Sequence, residues 1–433
     1  MTDFTVPERT AQTPSTIRKG IKLEAVVAWL GCAVLLVSVV FIVDHPPINE
    51  RTDFSVTYLG SRMVYLGMGR KLYDLSEQAK LKRALLPDAQ PLIFEHPPFE
   101  ALLLSPLGAL PYKTAYLLWG IINVAIWLFL PYILRPYLST PRDDLAYLLL
   151  WLLFLPLGAA LFEGQSSLMM LLLYSLTFIQ LRSARDLLAG VVFGLALLKF
   201  QFAIPFAIIL LLQKKWRFLL GFMATATGLG LLSVMAVGWK GILSYFRLVT
   251  SIAAHPENPT FGSARGMATL AGFVNPLFGK ILGHTAAFLI VAAISMFLLL
   301  WTAWRWRKAG FAADRRTFDL MFAAAVAVSL ATSLHMFTHD LSPLLLAMLI
   351  TADYFPAKNH RSLRMVLGTA LALLWTPPLF FVLLARHCFY LFFPVLMLLL
   401  LGILKLTSTP KESLASPQMS DPAPRLPDAA YSG

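Results

Sequence analysis

The stretch AVVAWLGCAVLLVSVVFIV, residues 25–43, followed closely by Arg51-Thr52-Asp53-Phe54, decides the fold. An uncharged run of that length rises about 28 Å as a helix, enough to cross a hydrocarbon core of roughly 30 Å. Arg9, Arg18, Lys19 and Lys22 precede it and no small-residue cleavage site follows. The reading is a retained first span with a cytoplasmic N-terminus. Similar runs recur to about residue 406. With 58% hydrophobic and 14% charged residues in 433, and a mean hydropathy of +0.69, the chain is too apolar for a soluble domain. Strand alternation is missing, which excludes a β-barrel. The expectation is an all-α polytopic membrane protein of about 11–12 transmembrane segments with helical external loops.

A net charge of +13 raises nucleic acid as a partner, but Lys and Arg in excess are what cytoplasmic loops of membrane proteins carry. Nucleic acid is set aside in favour of membrane lipids. Cys32 and Cys388 both sit in apolar spans, so neither a disulfide framework nor a metal-ligand spacing is present.

Taken in order, residues 1–24 form a cytoplasmic tail, 25–406 a transmembrane domain, and 407–433, rich in Pro, Ser and Ala, a disordered cytoplasmic tail. Two long external segments interrupt the spans, about 44–112 and 238–283, the second containing His255. In the first, Asp74 with Glu77 reads as a capping box for a helix lying along the membrane through Leu81 and Leu85. The prolines of Phe94-Glu95-His96-Pro97-Pro98-Phe99 rule out a continuous helix there. Spans at about 114–134 and 145–162 lead to the short turn Glu163-Gly164-Gln165-Ser166, from which a fourth span returns to Arg182 and Arg185. A single crossing over 187–213 would put Lys214, Lys215 and Arg217 outside, against the positive-inside bias. The segment therefore reads as a V-shaped hairpin meeting near Lys199 and Gln201, which implies a polar cavity at its tip. Spans near 218–237, 284–304, 318–337, 341–354, 363–384 and 388–406 return the C-terminus to the cytoplasmic side. No internal repeat stands out.

Ionisable residues at membrane depth are costly and mark polar sites. On the external side the tracing gathers Asp53, His96, Glu163, Gln165, Lys199, Arg265, His335, His339, Asp340, Arg386 and His387. Arg51 and Arg62 lie close to Asp53 and favour an ionised carboxylate able to act as a general base; a structural ion pair or a cap for the following helix is the alternative. Lys199, flanked by Leu197, Leu198, Phe200 and Phe202, either snorkels to the interface or meets a phosphate. Arg265 has the planar fork that suits phosphate oxygens, or is a plain loop arginine. His335 and His339, four apart, raise a shared helix face and a metal, but a single adjacent Asp340 makes a poor ligand set, and no metal is expected. Asp340 alternatively caps the next helix, and Asp143-Asp144 reads as a helix start.

These residues resemble a known family. Asp53-Phe54 with Tyr58, Gly69 and Leu72-Tyr73-Asp74, then His96-Pro97-Pro98-Phe99, Pro106-Leu107, Leu110-Pro111, Gly164-Gln165, Gly190 and Gly194 to Lys199, and Lys214-Lys215-Trp216-Arg217 look like successive blocks of glycosyltransferase family 87. Arg265-Gly266 and His339-Asp340-Leu341 look like two later ones, so that the likeness covers about residues 20–405. It implies a GT-C fold and a polyprenyl-phosphate-mannose-dependent transferase in the plasma (inner) membrane, facing the periplasm or outside, building a cell-envelope glycolipid. The resemblance puts the catalytic base on Asp53 and a donor contact on His339; Lys199 and Arg265, as cations for the leaving phosphate, and Gln165 are expected to bind the donor with it. Arg62, Tyr58, His96, Glu163, His335 and Asp340 are then expected to line the cavity or meet the acceptor. His96 departs from the pattern, which has an aromatic before the two prolines.

One base and in-line displacement imply inversion, with cations rather than a second acid stabilising the leaving phosphate. The lipid-linked sugar is substrate, and no cofactor is expected. A lipid-linked-sugar transporter or flippase is the alternative, against which the missing repeat argues; a non-catalytic scaffold is the third reading.

Overall fold

The computed structural model describes residues 23–45, 48–139, 141, 143–254, 263–311, 314–357 and 359–409. The expected N- and C-terminal tails, apart from their inner ends, and His255 lie outside them. Among the described residues helix is the only regular structure. α1 (Leu23–Asp44) delivers the chain to a cap of short helices: α2 (Phe54–Tyr65), α3 (Leu75–Leu85), α4 (Pro98–Leu103) and α5 (Ser105–Gly108). α6 (Tyr112–Leu134) leaves the cap, α7 (Asp144–Leu153) and α8 (Leu155–Glu163) return to it, and α9 (Ser167–Arg182) leaves again. Then come α10 (Asp186–Gly194), α11 (Phe200–Leu212) and the long α12 (Trp216–Ala254). α13 (Leu270–Leu282), α14 (His284–Ala309), α15 (Arg315–Ala331), α16 (Leu344–Asp353), α17 (Arg361–Trp375), α18 (Pro377–Ala385) and α19 (Phe392–Leu406) complete the bundle.

Among the described residues five stretches are long and apolar enough to cross a membrane: Tyr112–Tyr137, Asp186–Leu212, Trp216–Ile252, His284–Ala309 and Phe389–Leu406. There are seven if the bent pairs within residues 144–163 (46°) and 361–385 (67°) each count once. The second bend falls at Thr376, whose extended backbone is what the following Pro377 imposes. The chain is an all-α polytopic membrane protein. Fewer helices qualify as spans than the sequence suggests because α9, α15 and α16 have only 16, 17 and 10 residues. α15 is the centre of the bundle, with every residue from Thr317 to Ala331 buried. Its Ala-rich surface lets neighbours approach closely, the basis of helix association where lipid offers no hydrophobic drive.

The segment Asp186–Leu212 does not run straight. The rings of Phe193 and Phe206 meet, tilted, with centroids 4.7 Å apart, whereas thirteen residues of continuous helix would hold them about 20 Å apart. Lys215 closes the base of the V on Asp186 at 2.9 Å. The reversal falls at Lys199, with φ −122° and ψ 71°, at the end of a 3-10 turn over Leu195–Lys199. Glycines let α12 lie on the first arm: a Cβ on Gly190 would stand 1.9 Å from the Phe218 carbonyl oxygen, and one on Gly221 2.2 Å from that of Leu187. Gly238, at φ 69° and ψ 171°, breaks α12 and turns its second half over the cap.

The cap differs from expectation in two respects. Asp74 does accept from the backbone of Ser76 and Glu77, at 2.9 and 3.3 Å, but Glu77 pairs with Lys71 instead of closing the box. α3 buries Gln78 and Lys82 rather than its leucines. Gln78 bridges Leu72 and both backbone groups of Phe94, and Lys82 donates to the Leu92 carbonyl at 2.8 Å. Polar clamping thus fastens α3 to the extended segment before Pro97, in place of an apolar face on the membrane. At the opposite end of the bundle, Asp319 receives Arg182 at 3.4 Å and the Tyr354 hydroxyl at 2.7 Å, tying α9 to α15 and α16.

Candidate active site

Asp53 precedes α2, yet its side chain caps nothing. Phe54, fully buried, fixes the loop by stacking on Tyr116 at 4.9 Å and lying 5.7 Å from Tyr112. Facing it is the turn after α8, where Gly164 takes the left-handed conformation at φ 63°. That turn grips Asp53 twice: its backbone N–H donates to Glu163 at 3.3 Å, and its Oδ2 accepts from the Gln165 amide at 2.8 Å. The ion pair weighed as the alternative does not form with Arg62, which donates to the Gly108 carbonyl at 2.7 Å.

Gln165 is itself oriented. Its Oε1 accepts from Lys199 at 3.0 Å, so its amide nitrogen faces Asp53. Lys199 also donates to Ser167 at 3.0 Å and to Asp340, and an ammonium has three protons to give. A phosphate reaching Lys199 would have to displace one of these partners. Asp340 is 2% exposed and fully engaged: Oδ1 takes Lys199 and Ser167, while Oδ2 takes the Phe337 N–H at 3.1 Å and lies 3.3 Å from Nε2 of His339. Burial works to raise its carboxyl, but Lys199 and His339 outweigh that and hold it well below the usual range. Asp340 therefore belongs to this network and does not cap α16. His339 bridges the two carboxylates, with Nδ1 4.0 Å from Oδ2 of Asp53. It sits on the 3-10 turn His339–Leu341 and His335 in the irregular segment before it, so the two do not share a helix face.

These groups open on a cavity of about 640 Å³ between the cap, the hairpin tip and the start of α14. Asp53, Gln165, Lys199, His335, His339, Asp340 and His96 line it. Arg265 does not: its side chain is exposed on a turn whose neighbours Ala264 and Met267 face inward. Tyr58 is spent on the Leu110 carbonyl at 2.8 Å and Arg62 on Gly108, both structural. Glu163 reaches only the Asp53 backbone, and Arg386 and His387 are exposed away from the cavity. Sequence reasoning passed over Glu95 and His284, which do line it, and Glu100, which is buried behind His96. The FEHPP motif at 94–98 marked the right place for the first; nothing in the composition around His284 marked the second. Among the described residues no three His, Cys, Asp or Glu converge as a metal site.

The arrangement offers a half-exposed carboxylate, 27% accessible, steered by a neutral amide and backed by a charge-balanced buried pair. A family model, glycosyltransferase family 87, matches residues 94–334, more than half of the chain. No curated protein and no solved structure matches.

Proposed function

The chain belongs to glycosyltransferase family 87, and from that premise we propose that it transfers a hexose, mannose, from a polyprenyl-phosphate donor to a lipid or glycan acceptor. The observation that carries this reading is Asp53, whose Oδ2 is held by Gln165 while its second oxygen is left for an acceptor hydroxyl. Asp53 takes the hydroxyl proton as the acceptor oxygen attacks the anomeric carbon. The bond to phosphate breaks with its electron pair staying on the phosphate oxygen, and attack from the opposite face inverts the centre.

In this scheme Lys199 is a positioning residue: it neutralises Asp340 and fixes the Gln165 amide. His339 stands beside the base and meets the donor. The long apolar walls, Ile93, Val249, Ile252, Phe288 and Val291 among them, suit the hydrocarbon of a lipid-linked substrate. A GT-C arrangement in the plasma membrane, with the site outside and both termini cytoplasmic, is part of the proposal. Its support is the cluster Lys214, Lys215, Arg217, Arg305, Arg307, Lys308, Arg315 and Arg316 at the bundle end remote from Asp53.

The test is a donor panel in nanodiscs, with labelled polyprenyl-phosphate mannose, other polyprenyl-phosphate hexoses and nucleotide sugars offered to the purified protein with a lipid acceptor extract. Transfer from polyprenyl-phosphate mannose is the expected result. Transfer from nucleotide sugars alone would overturn the donor assignment.

A further inference from the structure

The cavity balances its charges in a way that asks for one more cation. Lys199 has all three protons engaged, and both Asp53 and Glu95 present carboxylates to the same space. A substrate phosphate must find its charge-assisted donor on another wall. His96 lines the cavity, and its Nδ1 lies 2.8 Å from Oε1 of Glu100, one helical turn further on. Glu100 is 1% exposed and its Oε2 has no hydrogen-bond partner. A carboxylate buried in that state is strongly unfavourable unless a cation sits against it, and the imidazole is the group that does.

The rest of the surroundings agree. Glu95 adds negative charge beside the ring, Lys199 opposes it from the hairpin tip, and His335 lines the cavity near Glu95. The phenols of Tyr73 and Tyr245 flank the pair on the protein side, and Tyr73 donates to the His96 carbonyl at 2.7 Å. Burial pulls the imidazole down, but the charge and hydrogen bond of Glu100, joined by the charge of Glu95, hold His96 above its ordinary value. Pro97 and Pro98 stiffen the backbone beneath it. With Nδ1 committed, Nε2 is the ring's remaining polar atom, and on an imidazolium it can only donate.

We propose that His96 and Glu100 form an anion-gripping dyad in which the Nε2–H of His96 donates to a phosphate oxygen of a bound substrate while Glu100 holds the ring and its charge. The idea rests on the phosphate-donor reading above.

The experiment measures binding and transfer separately in phosphatidylcholine nanodiscs, for wild type, His96→Phe, His96→Gln and Glu100→Gln. The binding probes are polyprenyl-phosphate mannose without acceptor, and phosphatidylglycerol, both phosphodiesters whose charge stays constant over about pH 5.5–9. Wild-type affinity for the donor is expected to fall as pH rises and the imidazolium is lost. His96→Phe should weaken binding about 10-fold at the acid end, the worth of one charge-assisted hydrogen bond, and abolish the pH step. Glu100→Gln should move the step to lower pH. His96→Gln, which keeps a neutral donor, should recover part of the affinity without the step. A step seen with phosphatidylglycerol and not with the donor assigns the dyad to an acceptor headgroup. A pH step that persists in His96→Phe and stays in place in Glu100→Gln overturns the dyad, even if affinity drops. Wild type that binds with the expected step but transfers from no lipid-phosphate sugar refutes the functional reading alone.

Discussion

Lys199→Met keeps most of the side-chain volume but deletes the charge that Asp340 faces. Asp340 would retain Ser167, the Phe337 N–H and His339, yet it is 2% exposed and would be left without its ammonium. Removing one partner of a buried ion pair costs about 3–5 kcal/mol. Lys199→Met/Asp340→Asn removes both charges and should cost less than the two single changes together, giving a coupling energy of about 2 kcal/mol or more. The assay is unfolding of the purified protein by SDS in mixed micelles, run on wild type, both singles and the double. The sign of any pH effect is also set: because the folded Asp340 carboxyl is depressed, its contribution is complete above the unfolded value of about 3.9 and is lost only as pH falls through the lower folded value. The coupling should therefore hold steady between about pH 5 and 8. A double variant destabilised by the full sum of the singles would refute the pairing.

Gln165→Leu removes the amide that holds Oδ2 of Asp53 and should lower kcat about 10–100-fold, with thermal stability close to wild type, as read by steady-state transfer and a melting scan. Gly190→Val forces a branched side chain against the Phe218 carbonyl and should cost at least about 1–3 kcal/mol, seen as loss of monodisperse protein on size exclusion; normal folding would mean α10 and α12 do not pack so closely. Burial pushes Lys82 down to about 8, so the folded cap binds fewer protons than the unfolded chain between about pH 8 and 10.4. Cap stability should rise with pH across that window by at most about 3 kcal/mol, and Lys82→Met should flatten the slope. Hydrogen exchange over residues 75–94, corrected for intrinsic rates, measures it.

Much of this architecture can be read from local pattern, and what cannot is long-range pairing. The apolar runs announce a membrane bundle, and the basic cluster at Lys214-Lys215-Trp216-Arg217 forces the reversal at Lys199, because a straight crossing would place it on the wrong side. Lys199 was legible because it interrupts an apolar run in a way that lipid penalises, His339 because it sits in the short polar break between two apolar runs, and Asp53 because it follows closely on the first span. Their partners were not. Asp340 lies 141 residues from Lys199 and Gln165 lies 112 from Asp53, and no spacing rule connects them. For the same reason Lys199 read as a free phosphate ligand when its protons are already engaged. Arg265, Arg62 and Tyr58 differ in the opposite way: their chemistry suits a substrate, but Arg265 sits exposed on a turn, and Tyr58 and Arg62, within α2, each donate to a backbone carbonyl. No local pattern marks Glu100, and only its burial behind His96 gives it a role.

The most direct test of the central claim is single-turnover transfer from labelled polyprenyl-phosphate mannose by wild type and Asp53→Asn in nanodiscs, with the anomeric configuration of the product determined. The account predicts transfer with inversion by wild type and a loss of at least about 10²-fold in the variant at unchanged donor binding. Full activity in Asp53→Asn, or a product that retains the donor configuration, would contradict it.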